Sequence, residues 1–454
     1  MAAPRVNHEG YARRLAVVQA ILDRHGLAAT SITPVEYDER SPFHYNNFLY
    51  KLDLAAPATA ANFPPKPCTT APPAEGITTL ILKLSNAKAE GLNNTNRVEN
   101  DVITSLLIRE SLSRRASDLA AIVPAVYAWE AFTDPSPDAD EAAAGWTLME
   151  HRPGSNLDAQ FAALGQQERH AVVAQVATIL AAVQSAQLPP GVTGHGGMTF
   201  DGSSSSTIVT GERPLLPGGP WTSYAEMWAA RLRFQLAGDA EQSPVLRGWH
   251  RNGALRTKLD AFISGPAVIE ELLQRGGVAT DQRVLTHGDF TMNNMLYDPE
   301  THSVSALIDF DWAVVTHPAH EFFSGLHDLQ GGTHPAAGGP ALQAAVLSGD
   351  FDDNDNTDTA GTTADDEERA SSAWALARAW DAALREAGGL RPSSLAGITT
   401  LESLRALEDL IAPFALCSSV MVAGTPADKL EVAAAETEAK LEALLDSLAQ
   451  QAGV

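Results

Sequence analysis

The residues whose types and spacing suit them to chemistry lie in Thr286-His287-Gly288-Asp289-Phe290-Thr291-Met292-Asn293-Asn294. They are answered fifteen residues after Asn294 by Asp309, within Ile308-Asp309-Phe310-Asp311-Trp312. Between them, Met295-Leu296-Tyr297 and Val304-Ser305-Ala306-Leu307-Ile308 read as two short apolar strands around the turn Asp298-Pro299-Glu300-Thr301-His302. In an antiparallel hairpin the start of the first strand lies beside the end of the second. Asn294 and Asp309 therefore come together, with Asp289 in the loop just before them. One amide oxygen and two carboxylates converging at a sheet edge suit a hard, oxygen-preferring cation such as Mg²⁺. The competing reading is a surface hairpin rich in Asp and Asn, because those residues favour turns. The spacing and the two flanking strands together speak against it.

Other elements must position these groups. Tyr11 to His25 carries Leu15, Val18, Ile21 and Leu22 at helical spacing and is stopped by Gly26. Ser31 to Leu54 reads as two strands around Ser41-Pro42-Phe43-His44-Tyr45-Asn46-Asn47. Ala55 to Gly76, rich in Pro, Ala and Thr, reads as a flexible insertion. Thr78 to Leu84 is a strand with Lys83 in its apolar run. A helix from Arg97 to Glu110 places Glu99, Ile103 and Leu106 on one stripe. A carboxylate facing inward requires a cation, and Lys83 is the natural partner for Glu99. Ile122 to Phe132 and Trp146 to Glu150 supply two further strands, and a core helix runs from Gln166 to Gln184.

His-Gly-Asp, an Asn five residues after the Asp, and then Ile-Asp-Phe together resemble the catalytic and metal loops of the aminoglycoside phosphotransferase/choline kinase family, relatives of the protein kinases. The resemblance covers roughly Val35 to Phe323 with insertions. It implies an α+β, two-lobe, protein-kinase-like fold: a small N-terminal antiparallel sheet with one helix (residues 1–152) and a larger, mainly helical lobe (153–454). It further implies transfer of a phosphoryl group from ATP, with Mg²⁺, to a hydroxyl of a small molecule. Asp289 would orient the acceptor hydroxyl or accept its proton, Asn294 and Asp309 would hold Mg²⁺, and His287 would support the loop. A strand Lys paired with a helix Glu is the kinase arrangement for holding nucleotide phosphates, which gives Lys83 and Glu99 that role. Met149-Glu150-His151-Arg152-Pro153 resembles the interlobe hinge. Met149 would be the gatekeeper, and the Glu150 carbonyl and Arg152 amide would contact adenine. Glu321 takes a supporting role, and Asp311 is either a further metal carboxylate or a hydrogen-bonding residue.

One departure stands out. The segment where a phosphate-covering loop belongs has no glycine, leaving Asn46 and Asn47 to tolerate left-handed turns and offer amides to phosphate, or simply to form an ordinary hairpin turn. A catalytically silent kinase-fold protein that binds nucleotide or a partner is the alternative reading. A protein kinase is disfavoured, because no Ala-Pro-Glu follows Asp309.

The whole chain sets outer bounds. Its 454 residues suffice for two or three domains. A formal net charge of −25 argues against a nucleic-acid binder, which normally shows a basic face. Cys68 and Cys417, far apart and outside any Cys/His cluster, suggest neither a disulfide scaffold nor a zinc site. The N-terminus has no apolar signal core, and the run Leu410 to Gly424 contains Pro413 and is too short for a membrane span. The expectation is a soluble cytoplasmic protein without nucleic-acid or membrane partners. Gly331 to Glu368 reads as a disordered insertion, acidic from Asp350 to Asp366. Helices are expected from Ala370 to Glu386, from Leu401 to Val422 and after Thr425-Pro426.

Overall fold

The computed structural model describes residues 6–38, 41, 44–202, 206–215, 218–351 and 364–453. Pro42 and Phe43 of the expected phosphate-covering loop, and most of the acidic stretch after Asp350, lie outside the described residues. The chain is α+β, and it divides into two compact units, neither contiguous in sequence. The first comprises 1–220, 284–315 and 382–389; the second comprises 221–283, 316–381 and 390–454. The expected cut after Arg152 falls inside the first unit.

The first unit is organised by a five-stranded antiparallel sheet. Its strands are β1 (Ala29–Val35), β2 (Asn47–Ala58), β3 (Ile77–Ser85), β4 (Val126–Glu130) and β5 (Trp146–Glu150), in the order β1-β2-β3-β5-β4. Strand side chains alternate between faces, and the sequence uses this twice over. Tyr50, Leu52, Leu80, Leu82, Leu84 and Leu148 bury one face, against Val18, Ile21 and Leu22 of α1 (Tyr11–Arg24). The intervening Leu49, Lys51, Ile81, Lys83 and Met149 are thereby turned to the opposite face, where they line a cavity. The expected helix–strand–strand opening of the chain is observed.

The tract after β2 is fastened down. Ala58 and Phe63 are buried in the sheet's core, and Lys66 lies 3.7 Å over the Trp129 ring and donates to its carbonyl at 2.7 Å. Trp129 donates its indole N–H to Pro67, and the Thr70 amide pairs with Val126. A Pro/Ala/Thr composition carries no periodicity, so these isolated anchors left no pattern to read.

On the other side of the first unit, Met295–Asp298 and Ser303–Leu307 pair as the expected antiparallel hairpin, with Met295 opposite Leu307. Ser155–Asn156 adds a short third strand to Met295–Asp298. Helix α2 (Arg97–Arg115) and the buried Gln166–Gln184 helix complete this unit's main elements.

The second unit is helical. Tyr224–Gln235 opens with a Ser223/Glu226 capping box, and Trp228 and Leu232 on it are fully buried, so they are core residues. Pro266–Arg275, Ile398–Ile411 and Ala427–Ala452 pack on one another, the last burying Leu441, Leu445 and Leu448. The Arg231 guanidinium pairs through two hydrogen bonds (2.6 and 2.9 Å) with buried Glu408. Among the described residues no helix is long and apolar enough to cross a membrane.

Residues 331–351, expected to be disordered, are ordered. The helix Gly339–Ser348 buries Leu342, Ala345 and Val346 against Ala373, Trp374 and Ala377, and Phe351 meets Trp374 edge-on at 6.4 Å. The Gly/Pro/Ala opening hid a short apolar helix behind residues that read as breakers. Phe351→Ala is therefore expected to destabilise this unit by about 3 kcal/mol, read as a lower denaturant midpoint. An unchanged midpoint would show that Phe351 closes no core.

Candidate active site

Lys83 projects from the face of β3 opposite the leucines, and its ammonium stands among three carboxylates. It lies 2.8 Å from Asp311, 3.3 Å from Asp101 and 3.3 Å from Asp309. Burial favours the neutral amine, but three anions within ion-pair reach override it and hold the ammonium well above the ordinary lysine range. Asp101 is pushed up to about 6 by burial; Lys83 offsets this, while the neighbouring Asp311 and Asp309 add to it. Asp311 moves the other way: burial opposes ionisation, yet Arg97 and Lys83 together draw its carboxyl below the usual range. Asp309 is shifted upward by burial and by Asp311, but 36% of its side chain is exposed, so water moderates that shift. Two cations face three anions, which leaves one negative charge in excess.

The helix partner of Lys83 is Asp101. Glu99, to which that role was assigned from the sequence, instead accepts a hydrogen bond from the Thr199 hydroxyl at 2.6 Å. The reason is visible on α2. This helix is buried on most sides, so its apolar residues do not mark the face that meets β3. A polar stripe does: Arg97, Asn100, Asp101, Thr104 and Ser105 recur at i, i+3, i+4, i+7 and i+8, and all five are buried. Arg97 donates to Asp311 (2.8 Å), Asn100 to the Ala313 carbonyl (2.9 Å), and Asp101 takes Lys83. Arg97, Asn100 and Asp101 are the residues that the sequence reasoning missed. Five polar residues at helical spacing in a buried helix were the signal that could have found them.

The catalytic-loop expectations converge as the hairpin argument requires. The Asn294 side-chain amide donates to the Asp289 carboxylate (2.9 Å) and to the Asp289 carbonyl (2.8 Å), and the Asn294 carbonyl accepts from the Ile308 amide (2.9 Å). With its amide nitrogen committed to Asp289, Asn294 has its side-chain oxygen as the atom suited to a cation. His287 is fully buried. Its Nε2–H donates to the Ile308 carbonyl (3.1 Å), and its Nδ1 accepts from the Asp289 amide (3.4 Å), so the ring ties the two loops as a neutral tautomer. Gly288 has φ +82°, and a side chain there would collide with the Trp312 carbonyl, so the loop can close on the second motif only with glycine. Asp309 has φ +65°, a left-handed conformation costly for a residue with a Cβ. Asp311 is 2% exposed and engaged by Lys83, Arg97 and the Asn47 amide (2.6 Å), which gives it an ion-pairing and hydrogen-bonding role here. Glu321 is buried in the Ala319–Ser324 helix, which belongs to the second unit.

A cavity of about 600 Å³ lies within the first unit; Asp289, His287, Arg97 and Asp311 stand behind its lining rather than in it. Lys83, Asp101, Asn294 and Asp309 occupy its charged part, and apolar Val35, Ile81, Met149, Leu296 and Phe310 line the rest. The volume is that of a small-molecule site. Met149, Glu150 and Arg152, expected to form an interlobe hinge, line the same space. The Arg152 side chain binds Glu150 (3.1 Å) and the Ser305 carbonyl (3.1 Å), tying the end of β5 to the hairpin. Asn156 donates to Glu36 at 2.9 Å, and both residues border the cavity. Asn47 borders it too, with its side chain turned to Asp311 and Arg97, while Asn46 contributes its carbonyl to Arg97.

An ion-paired strand lysine beside a loop of Asp, Asn and Asp is what a phosphoryl-transfer site requires, because such catalysis rests on positioning and charge. The model of the phosphotransferase enzyme family (APH) matches residues 112–359, and the chain belongs to that family. The matched span holds Asp289, Asn294, Asp309 and Asp311; Lys83, Arg97 and Asp101 lie upstream of it. Among solved structures, the chain is similar to a Ralstonia eutropha JMP134 protein assigned as an aminoglycoside phosphotransferase (13% identity, 97% of this chain and 98% of that one, TM-score 0.42). It is also similar to the aminoglycoside phosphotransferase APH(2")-IIa in complex with gentamicin (10%, 95% and 97%, 0.43). A thermostable mutant of APH(4)-Ia in a ternary complex with ADP and hygromycin B is a further match (13%, 94% and 97%, 0.40). No curated protein matches the chain.

The buried His287 makes stability depend on pH. Burial pushes its imidazole down to about 4, against an unfolded value near 6.5. The unfolded chain therefore takes up a proton that the folded chain refuses, and stability falls as pH drops through this window. Between pH 7 and pH 5 the loss from this residue is about 2 kcal/mol. Denaturant unfolding at both pH values, for wild type and His287→Gln, should show a smaller pH-dependent loss in the variant. Equal losses would mean that His287 titrates normally in the folded protein.

Proposed function

We propose that the chain transfers the γ-phosphoryl group of ATP to a hydroxyl of a small-molecule acceptor. The observation that carries this reading is the Lys83 ammonium held by Asp101, Asp309 and Asp311 on a cavity that Asn294 also lines. Adenine lies between the apolar walls against the hinge at Met149, Glu150 and Arg152, which divides residues 1–152 from 153–454. Lys83 binds the phosphates. Asp289, half-buried and fixed by Asn294, orients the acceptor hydroxyl and takes its proton at the carboxylate as the new oxygen–phosphorus bond forms and the bond from the γ-phosphorus to the β,γ-bridging oxygen breaks, releasing ADP.

The donor set fits Mg²⁺. Asp309 and Asn294 offer hard oxygen atoms beside an excess negative charge. Among the described residues no group of three or more His, Cys, Asp or Glu is arranged to hold a metal alone. That suits a cation completed by nucleotide phosphates rather than one caged by protein. When bound, Mg²⁺ supplies neutralisation of the phosphate charge.

Asp289→Asn is expected to lower the transfer rate by at least about 10²-fold while nucleotide affinity stays nearly unchanged. Asp309→Asn should abolish the Mg²⁺ dependence of ATP binding in calorimetry. The acceptors to screen are choline, aminoglycosides and sugars. If the wild-type protein binds no ATP with or without Mg²⁺, the reading fails and the chain is a catalytically silent kinase-fold protein.

A further inference from the structure

Arg97 is 1% exposed, at the first turn of α2, and its guanidinium ties the glycine-free segment to Asp311 and to the loop after β3. Nη2 donates to the Asn46 carbonyl (2.6 Å), the Asn47 side-chain oxygen (3.1 Å) and the Asp311 carboxylate (2.8 Å). Nη1 donates to the Asn86 carbonyl (3.1 Å), just past the end of β3 that pairs with Asn47, and to the Asn94 side chain (3.3 Å). The Asn47 amide closes the triangle by donating to the same Asp311 oxygen that Nη2 reaches, at 2.6 Å. The other Asp311 oxygen lies against Lys83, which also reaches Asp309. A continuous set of short polar contacts thus runs from the 46–47 segment through Arg97 and Asp311 to the lysine and the exposed carboxylate of the cavity.

We infer that Arg97 is a positioning residue that does with a side chain what a glycine-rich loop does with its backbone. It grips the Asn46 carbonyl and holds Asn47 at the charged end of the cavity, locked to Asp311. This rests on the phosphotransferase reading. A glycine-rich loop approaches phosphate because it lacks side chains. Here a side chain is present at Asn47, and a buried cation and its Asp311 partner hold it in place. A planar fork with several donors is needed to reach carbonyl, amide and carboxylate together, which a lysine ammonium cannot do in the same geometry. Arg97 also leaves Lys83 shared with Asp309 instead of bound by Asp311 alone, so the lysine stays at the cavity wall.

The test uses Arg97→Lys, which keeps the charge beside Asp311 but loses the fork, and Asn47→Ala, which removes the other end of the clamp at a half-buried position. Each is expected to weaken Mg·ATP binding in calorimetry by about tenfold or more, and to raise amide hydrogen exchange at residues 44–48 while β3 stays protected. The double variant should be little worse than either single one, because both break the same linkage. Normal ATP affinity and normal exchange at 44–48 in folded Asn47→Ala would overturn the inference. So would exchange that rises evenly through the sheet with affinity unchanged, which is the mark of a purely structural arginine. If the wild-type protein binds no ATP, the phosphotransferase reading falls, and local exchange at 44–48 in the two variants still decides whether the clamp exists.

Discussion

A buried ammonium cannot exist in a folded protein without anions placed around it, and in this chain that requirement organises the first unit. Lys83 must be satisfied by Asp101 from α2 and by Asp309 and Asp311 from the segment after the hairpin. β3 and α2 are neighbours in the chain, whereas the 309–311 segment arrives from more than two hundred residues away to meet them. Removing one partner of such a group typically costs about 3–5 kcal/mol, because the survivor is left charged and dry. The cluster therefore selects the arrangement in which β3, α2 and the hairpin meet. Its incomplete neutralisation also leaves the cavity wall ready for a further positive charge.

What the sequence revealed and what it hid follow from this. The hairpin was legible because strand alternation and an Asp/Pro turn are local signals, and Asn294 and Asp309 inherit their proximity from strand pairing alone. Lys83 was legible because a charge inside an apolar strand demands explanation. Its partner was misassigned to Glu99, since an apolar stripe is informative only on a helix with one buried face. On α2 the side bearing Glu99 and Leu106 is the less buried one, and the face that matters is the polar stripe from Arg97 to Ser105. Arg97 was hidden for a second reason. Its partners are mostly carbonyls and amides, which no residue pattern advertises.

The segments read as loose were misjudged on similar grounds. Neither 55–76 nor 331–351 carries periodicity, yet each is pinned by a few side chains: Phe63, Lys66 and Thr70 in the first, Leu342 and Phe351 in the second. Composition reports the average over a stretch, whereas order needs only a handful of anchors. The segment after β5 shows the same economy. Arg152 meets Glu150 and the Ser305 carbonyl, so two side chains join the last strand of the sheet to the hairpin.

The backbone carries the remaining constraint. Gly288 at φ +82° presses against the Trp312 carbonyl, and Asp309 at φ +65° accepts a conformation that its Cβ resists. Between them the neutral His287 ring donates to Ile308 and accepts from Asp289. Each loop is held by the other, and neither geometry is one that the local sequence would choose alone. Strain of this kind persists only where surrounding contacts over-determine it. Here they do, because Arg97 and Asn100 fasten Asp311 and Ala313 on one side of Asp309, and the Asn294–Ile308 contact fixes the other. The partly exposed Asp309 is thus held by neighbours that are themselves buried, so a ligand that engaged its carboxylate would find it already fixed.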